Sequence, residues 1–164
     1  MSPLHVLGVL LAMAAPPDTD TRTVIVGGED RAADCYEAAR RGEGSLAAVA
    51  ACDEAIEGAA FAINRTASRV NRGVVHYNGA RYAEAVADFS GVIDAGTASA
   101  RVLVNRGLAY EQMGRNERRY DALAAADYAR ALERQPRNRV ARRRLDELAK
   151  PVLERTPLAR RIVV

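Results

Sequence analysis

The side chains able to do chemistry are few, and their spacing does not favour catalysis. Of the two histidines, His5 stands just before an N-terminal apolar run and His76 within a helical stretch. No histidine pair is therefore at hand for a metal or for a nucleophile and its base, and His76 reads as a packed side chain. Asp88, Asp94, Asp121 and Asp127 are scattered and read as solvated helix faces, with nothing pointing to the paired acid of a glycosidase-type site. Gly27-Gly28 lacks both the spaced glycines of a dinucleotide site and the Gly-Lys-Ser/Thr ending of a phosphate loop, and reads as a turn. Arg139, Arg142, Arg143 and Arg144 could neutralise phosphates, but no aromatic follows Tyr128 to stack a base. They read as the outer face of a helix, suited to solvent or to an acidic protein surface. Cys35 and Cys52 remain as the sharpest local signal, and a zinc site would need two further ligands that the chain hardly offers. No enzyme chemistry, metal or cofactor is expected.

The elements that must position these groups are set by an internal repeat. Val70-Asn71-Arg72-Gly73 returns 34 residues later as Val104-Asn105-Arg106-Gly107. Behind each glycine come small and aromatic residues at helical spacing, broken by one glycine turn: Tyr77, Gly79, Tyr82, Ala85, Phe89 and Ile93, then Tyr110, Gly114, Ala124, Tyr128, Ala131, Leu132 and Pro136. This resembles the tetratricopeptide repeat (TPR) family, on Gly73, Ala85, Phe89 and Val92 in one unit and Gly107, Tyr110, Ala124, Tyr128, Ala131 and Pro136 in the next. Arg69 and Leu103 stand where the family has tryptophan, and Thr97 where it has a closing proline. The later unit carries five extra residues around Asn116-Glu117-Arg118-Arg119-Tyr120, which must lengthen its hairpin or its helix ends.

Two units cannot bury their own faces, so a degenerate one is expected upstream. Residues 32–62 supply it, with a helix Ala32–Arg41, a turn Gly42-Glu43-Gly44 and a helix Ser45–Gly58. Tyr36 takes the place of Gly73, which leaves a three-residue insertion at Ile63-Asn64-Arg65. At the other end Asn138–Lys150 carries Ala141, Leu145, Leu148 and Ala149 as one apolar stripe and reads as a capping helix. The expected fold is all-α: TPR-type hairpins at about 32–62, 66–99 and 100–137, stacked as a short right-handed superhelix and closed by a capping helix at 138–150.

Cys35 and Cys52 lie symmetrically about the Gly42–Gly44 turn. In an antiparallel hairpin that sets them at one height, on faces turned to its interior, where alanine-lined helices can approach to the ~5.5–6 Å between Cα atoms that a disulfide needs. Two buried free thiols acting as small hydrophobes are the other arrangement. The TPR resemblance also implies a concave face lined by the first helix of each hairpin, holding an extended peptide or a partner helix. Asn71 and Asn105 match the family's peptide-binding asparagine, and Tyr77, Asn78, Arg101 and Gln112 are expected to face the same groove. Amide and guanidinium donors together suit an acidic segment or a carboxylate.

Composition bounds the rest. The 164 residues include 33 alanines, no tryptophan and two phenylalanines, so the core must be built by helices approaching over small side chains. Residues 1–66 carry ten acids and five bases, residues 67–164 eleven and nineteen, and every base but Lys150 is arginine. That bias fits a GC-rich bacterial genome, and it favours planar pairing with carboxylates. Val6–Ala15 is an apolar run with Ala12-Met13-Ala14 before Pro16-Pro17, the pattern of an export signal and too short to span a bilayer. Residues 1–15 are therefore expected to be a leader, 16–31 a flexible lead-in containing the apolar Thr23-Val24-Ile25-Val26, and 151–164 a basic tail. The function expected is a periplasmic or secreted module that binds a protein or peptide partner. The other readings are an envelope subunit docking through its ends or onto itself, and a cytosolic regulator with basic nucleic-acid contacts.

Overall fold

The computed structural model describes residues 29–114, 119–151 and 154. Over them the chain forms seven helices and no strand: α1 (Glu29–Arg40), α2 (Leu46–Glu57), α3 (Ala62–Asn78), α4 (Tyr82–Asp94), α5 (Ala100–Gly114), α6 (Arg119–Arg134) and α7 (Arg139–Leu148). Each helix packs on the next, and α1 also packs on α3 and α3 on α5, so that these odd-numbered helices adjoin as one layer. The chain is thus an all-α stack of helical hairpins. The expected leader with His5, the Thr23–Val26 patch, Gly27-Gly28 and most of the 151–164 tail lie outside the described residues.

Two boundaries differ from expectation. The first helix begins at Glu29 and so takes in the end of the expected lead-in. Ile63-Asn64-Arg65 is not a loop insertion but part of the first turn of α3. The Arg65 amide donates to the Phe61 carbonyl at 3.1 Å, and the Arg65 guanidinium donates to the Ala59 carbonyl at 3.1 Å. The extra residues are absorbed as helix because they close such bonds at once. The other ends follow the sequence: the Ser45 hydroxyl accepts from the Ala48 amide, and the Asn138 side chain from the Ala141 amide. Of the longer third hairpin, Arg119 and Tyr120 fall in α6, where Tyr120 stacks on Tyr110 with ring centroids 6.1 Å apart.

Alanine is the commonest core residue, with one close contact at the waist of each hairpin. A Cβ placed on Gly73 would fall 2.6 Å from Phe89 Cε1, and one on Gly107 would fall 2.7 Å from Tyr128 Cε1. Glycine in the first helix is what admits the ring of the second. In the first hairpin two sulfurs replace glycine and ring: Cys35 and Cys52 are wholly buried with Sγ atoms 2.08 Å apart, at disulfide distance, and Cα atoms 4.6 Å apart.

The turns after α1 and α3 end in the same way, with different residues. After α1 the Glu43 amide donates to the Ala38 carbonyl and the Gly42 amide to that of Ala39, with Gly42 in the left-handed region at φ 70°. After α3 the Arg81 amide donates to the His76 carbonyl and the Ala80 amide to that of Tyr77, and the left-handed residue is Ala80, at φ 59°. The glycine sits one place earlier because the Gly79 backbone lies against the Gly44 backbone of the preceding hairpin, where a Cβ on either would collide with the other's main chain. Ala80→Gly should therefore raise the unfolding free energy by about 1 kcal/mol, and Gly79→Ala should lower it. Denaturant titration at constant m-value measures both, and destabilisation by Ala80→Gly would contradict this account of the turn.

Candidate functional site

The first half of α3, the start of α5 with Thr97 and Ser99 before it, Val92 of α4, Tyr36 of α1 and Gln135 after α6 enclose a groove of about 540 Å³. Val70, Val92, Ala100 and Val102 give it apolar walls, Asn71 contributes its amide, and Tyr36 stands half exposed at the rim. Arg101 is exposed, and among the described residues it is the only charged group in the lining. On α3 the lining follows helical spacing, Thr66 and Ala67 then Val70 and Asn71. An apolar trough with an amide and a guanidinium can bury hydrophobic side chains and hydrogen-bond a carbonyl or carboxylate.

The six residues expected in the groove separate into three groups. Asn71 and Arg101 line it. Asn105, one helical turn beyond Arg101, is 5% exposed, and its Nδ2 has no hydrogen-bond partner. Tyr77, Gln112 and Asn78 do not line this groove. The Gln112 amide donates to the Tyr77 hydroxyl at 3.1 Å, and both side chains are buried, fastening α5 to α3. The Tyr77 ring also meets Tyr82 edge-on at 5.4 Å. Asn78 ends α3, about 10 Å along the axis from Asn71, beside Gly44. Tyr36 was expected only as a stand-in for Gly73, and its place at the rim depends on how α1 leans on α3.

The arginine of each Asn-Arg-Gly motif points away from the groove and ties the hairpins together. Arg72 donates through Nε and Nη2 to both Asp88 carboxylate oxygens (2.9 and 2.5 Å) and through Nη1 to Asp53 (2.6 Å). Arg106 repeats the pattern, with both Asp127 oxygens at 2.7 Å and Ser90 Oγ at 3.0 Å. Each arginine thus spans its own hairpin and reaches the one before. Asp88 and Asp127 are buried, a correction to the reading of them as solvated faces: the guanidinium fork supplies in the interior the hydrogen bonds that water would give outside. These bonds, that to Asp88 foremost for Arg72 and that to Asp127 for Arg106, hold both guanidinium pKa values above the usual range. His76 is packed as expected. Its Nδ1 accepts from Arg81 Nε at 3.0 Å, and burial holds its pKa below the usual imidazole value, so the ring is neutral.

Arg144 does not lie on the outer face of α7 as its run suggested. It is 6% exposed and donates to Glu111, itself 7% exposed, through Nε at 2.9 Å and through Nη2. The Tyr128 hydroxyl donates to the same carboxylate at 2.6 Å. Burial, with the adjacent Glu111 charge, raises the Tyr128 phenol far above its ordinary pKa. The network joins α5, α6 and α7. Arg139, Arg142 and Arg143 are exposed.

Among the described residues no three His, Cys, Asp or Glu side chains gather as metal ligands, and no helix is long and apolar enough to cross a membrane. No family model, curated protein or solved structure matches the chain.

Proposed function

We propose that this chain is a TPR-type interaction module of the bacterial periplasm, holding an extended segment of a partner protein along α1, α3 and α5, without catalysis. The groove carries the reading, because its apolar walls, its amide and its lone guanidinium suit a segment that is partly hydrophobic and bears a carboxylate. Asn105 is not in the groove lining, and its Nδ2 is buried without a partner, so it would have to be uncovered on binding before a peptide carbonyl or carboxylate could satisfy it, an unmet donor costing of order 1–3 kcal/mol. Two buried cysteines at disulfide distance favour an oxidising compartment, in keeping with the export-type leader.

The test is affinity isolation from the envelope fraction, followed by titration of the recovered partner. Asn71→Ala, Asn105→Ala and Arg101→Ala should each weaken binding by about 1–3 kcal/mol, roughly 5- to 150-fold. Asn105→Ala should leave the unfolding free energy equal or higher, since it removes an unsatisfied donor. A triple variant that binds the partner as tightly as wild type would reject the groove.

A further inference from the structure

A second concavity lies at the C-terminal end of the stack, remote from the peptide groove. It encloses about 400 Å³ between α6 and α7. Ala122 and Ala125 of α6 face Leu145, Leu148 and Ala149 of α7 across it, with the Asp121 and Asp146 carboxylates at its edges. The apolar stripe of α7 is therefore only partly spent on the core. Ala141 is fully buried in the stack, whereas Leu145 and Leu148 are half exposed and line this trough.

We propose that this trough is the docking site of the chain's own segment 152–164. The first argument is position: α7 ends within the trough wall, and the Glu154 amide donates to the Pro151 carbonyl at 2.9 Å. Leu158 lies four residues past Glu154, a reach of at most about 14 Å, while Leu145 and Leu148 are about 4.5 Å apart along α7. The second is chemistry. The segment has Leu158 and Ile162 at four-residue spacing, with Arg155, Arg160 and Arg161 against one acid, Glu154. Apolar residues among arginines match an apolar trough edged by two carboxylates. The third is concentration. A tethered segment meets its site at an effective concentration in the millimolar range, well above that of a second copy of the chain in dilute solution. Docking there would cover the last apolar surface of the stack, the role an end unit serves in repeat arrays.

Photo-crosslinking in the full chain tests this, with benzoylphenylalanine in place of Leu158 and an equal mixture of 14N- and 15N-labelled protein. Mass spectrometry should find cross-links within one chain, to peptides of α6 and α7 containing Ala122, Ala125, Leu145 or Leu148. Cross-links of which about half join a 14N to a 15N peptide, the share expected for random pairing between chains in an equal mixture, would assign the trough to a second copy and overturn the proposal, and so would cross-links confined to other helices. As a second reading, trypsin should release the segment at Arg155 and Arg160 about tenfold faster from Leu158→Asp/Ile162→Asp than from the unaltered chain. Equal rates would also overturn it.

Discussion

Arg144→Ala should lower the unfolding free energy by about 3–5 kcal/mol, the usual effect of removing one partner of a buried ion pair. Glu111 receives both bonds of the Arg144 fork and the Tyr128 hydroxyl while only 7% exposed. Without the guanidinium, the carboxylate stays buried with a single donor. Arg142→Ala and Arg143→Ala alter exposed side chains and should change stability by no more than about 0.5 kcal/mol. The double replacement Glu111→Leu/Arg144→Met should recover most of the loss, because it removes the desolvated charge together with its partner. Denaturant titrations of the four variants measure these differences. If Arg144→Ala matched Arg143→Ala, the buried network would not contribute to holding α7 on α5 and α6.

Breaking the Cys35–Cys52 link should have an effect of similar size, about 3 kcal/mol for a loop of this length, the two residues being 17 apart. The first hairpin has no counterpart of the Gly73–Phe89 or Gly107–Tyr128 contact, so the two sulfurs occupy the place that a packed ring takes in the other two. Cys35→Ala/Cys52→Ala should open α1 and α2 first, seen as faster amide exchange there than in α5 and α6. Thiol labelling of denatured, non-reduced protein from an oxidising compartment should be negligible and should appear after reduction. Two labelled thiols before reduction would rule the link out.

Some of this was legible because it depends on neighbours along the chain. The 34-residue recurrence, the small residues at helical spacing, the glycine turn at 42–44 and the caps Ser45 and Asn138 each express a local rule. The cysteine pairing followed from the same logic, since symmetry about one turn sets two residues at one height. The groove was legible only in part. Asn71 and Arg101 line it, but helical phase alone could not separate them from Tyr77 and Gln112, which pair with each other across 35 residues.

By itself, then, the sequence determined the helices and their hairpin order, because periodicity, capping and residue type act within a few residues. The tertiary structure alone decided which polar side chains are solvated. Asp88, Asp127 and Arg144 have the residue types of an exposed face, and they are buried because a partner arrives from another helix: 16 residues away for Asp88, 21 for Asp127 and 33 for Arg144. A charge can leave water only where a fork or a carboxylate waits at hydrogen-bond distance, and that distance is set by how whole helices pack.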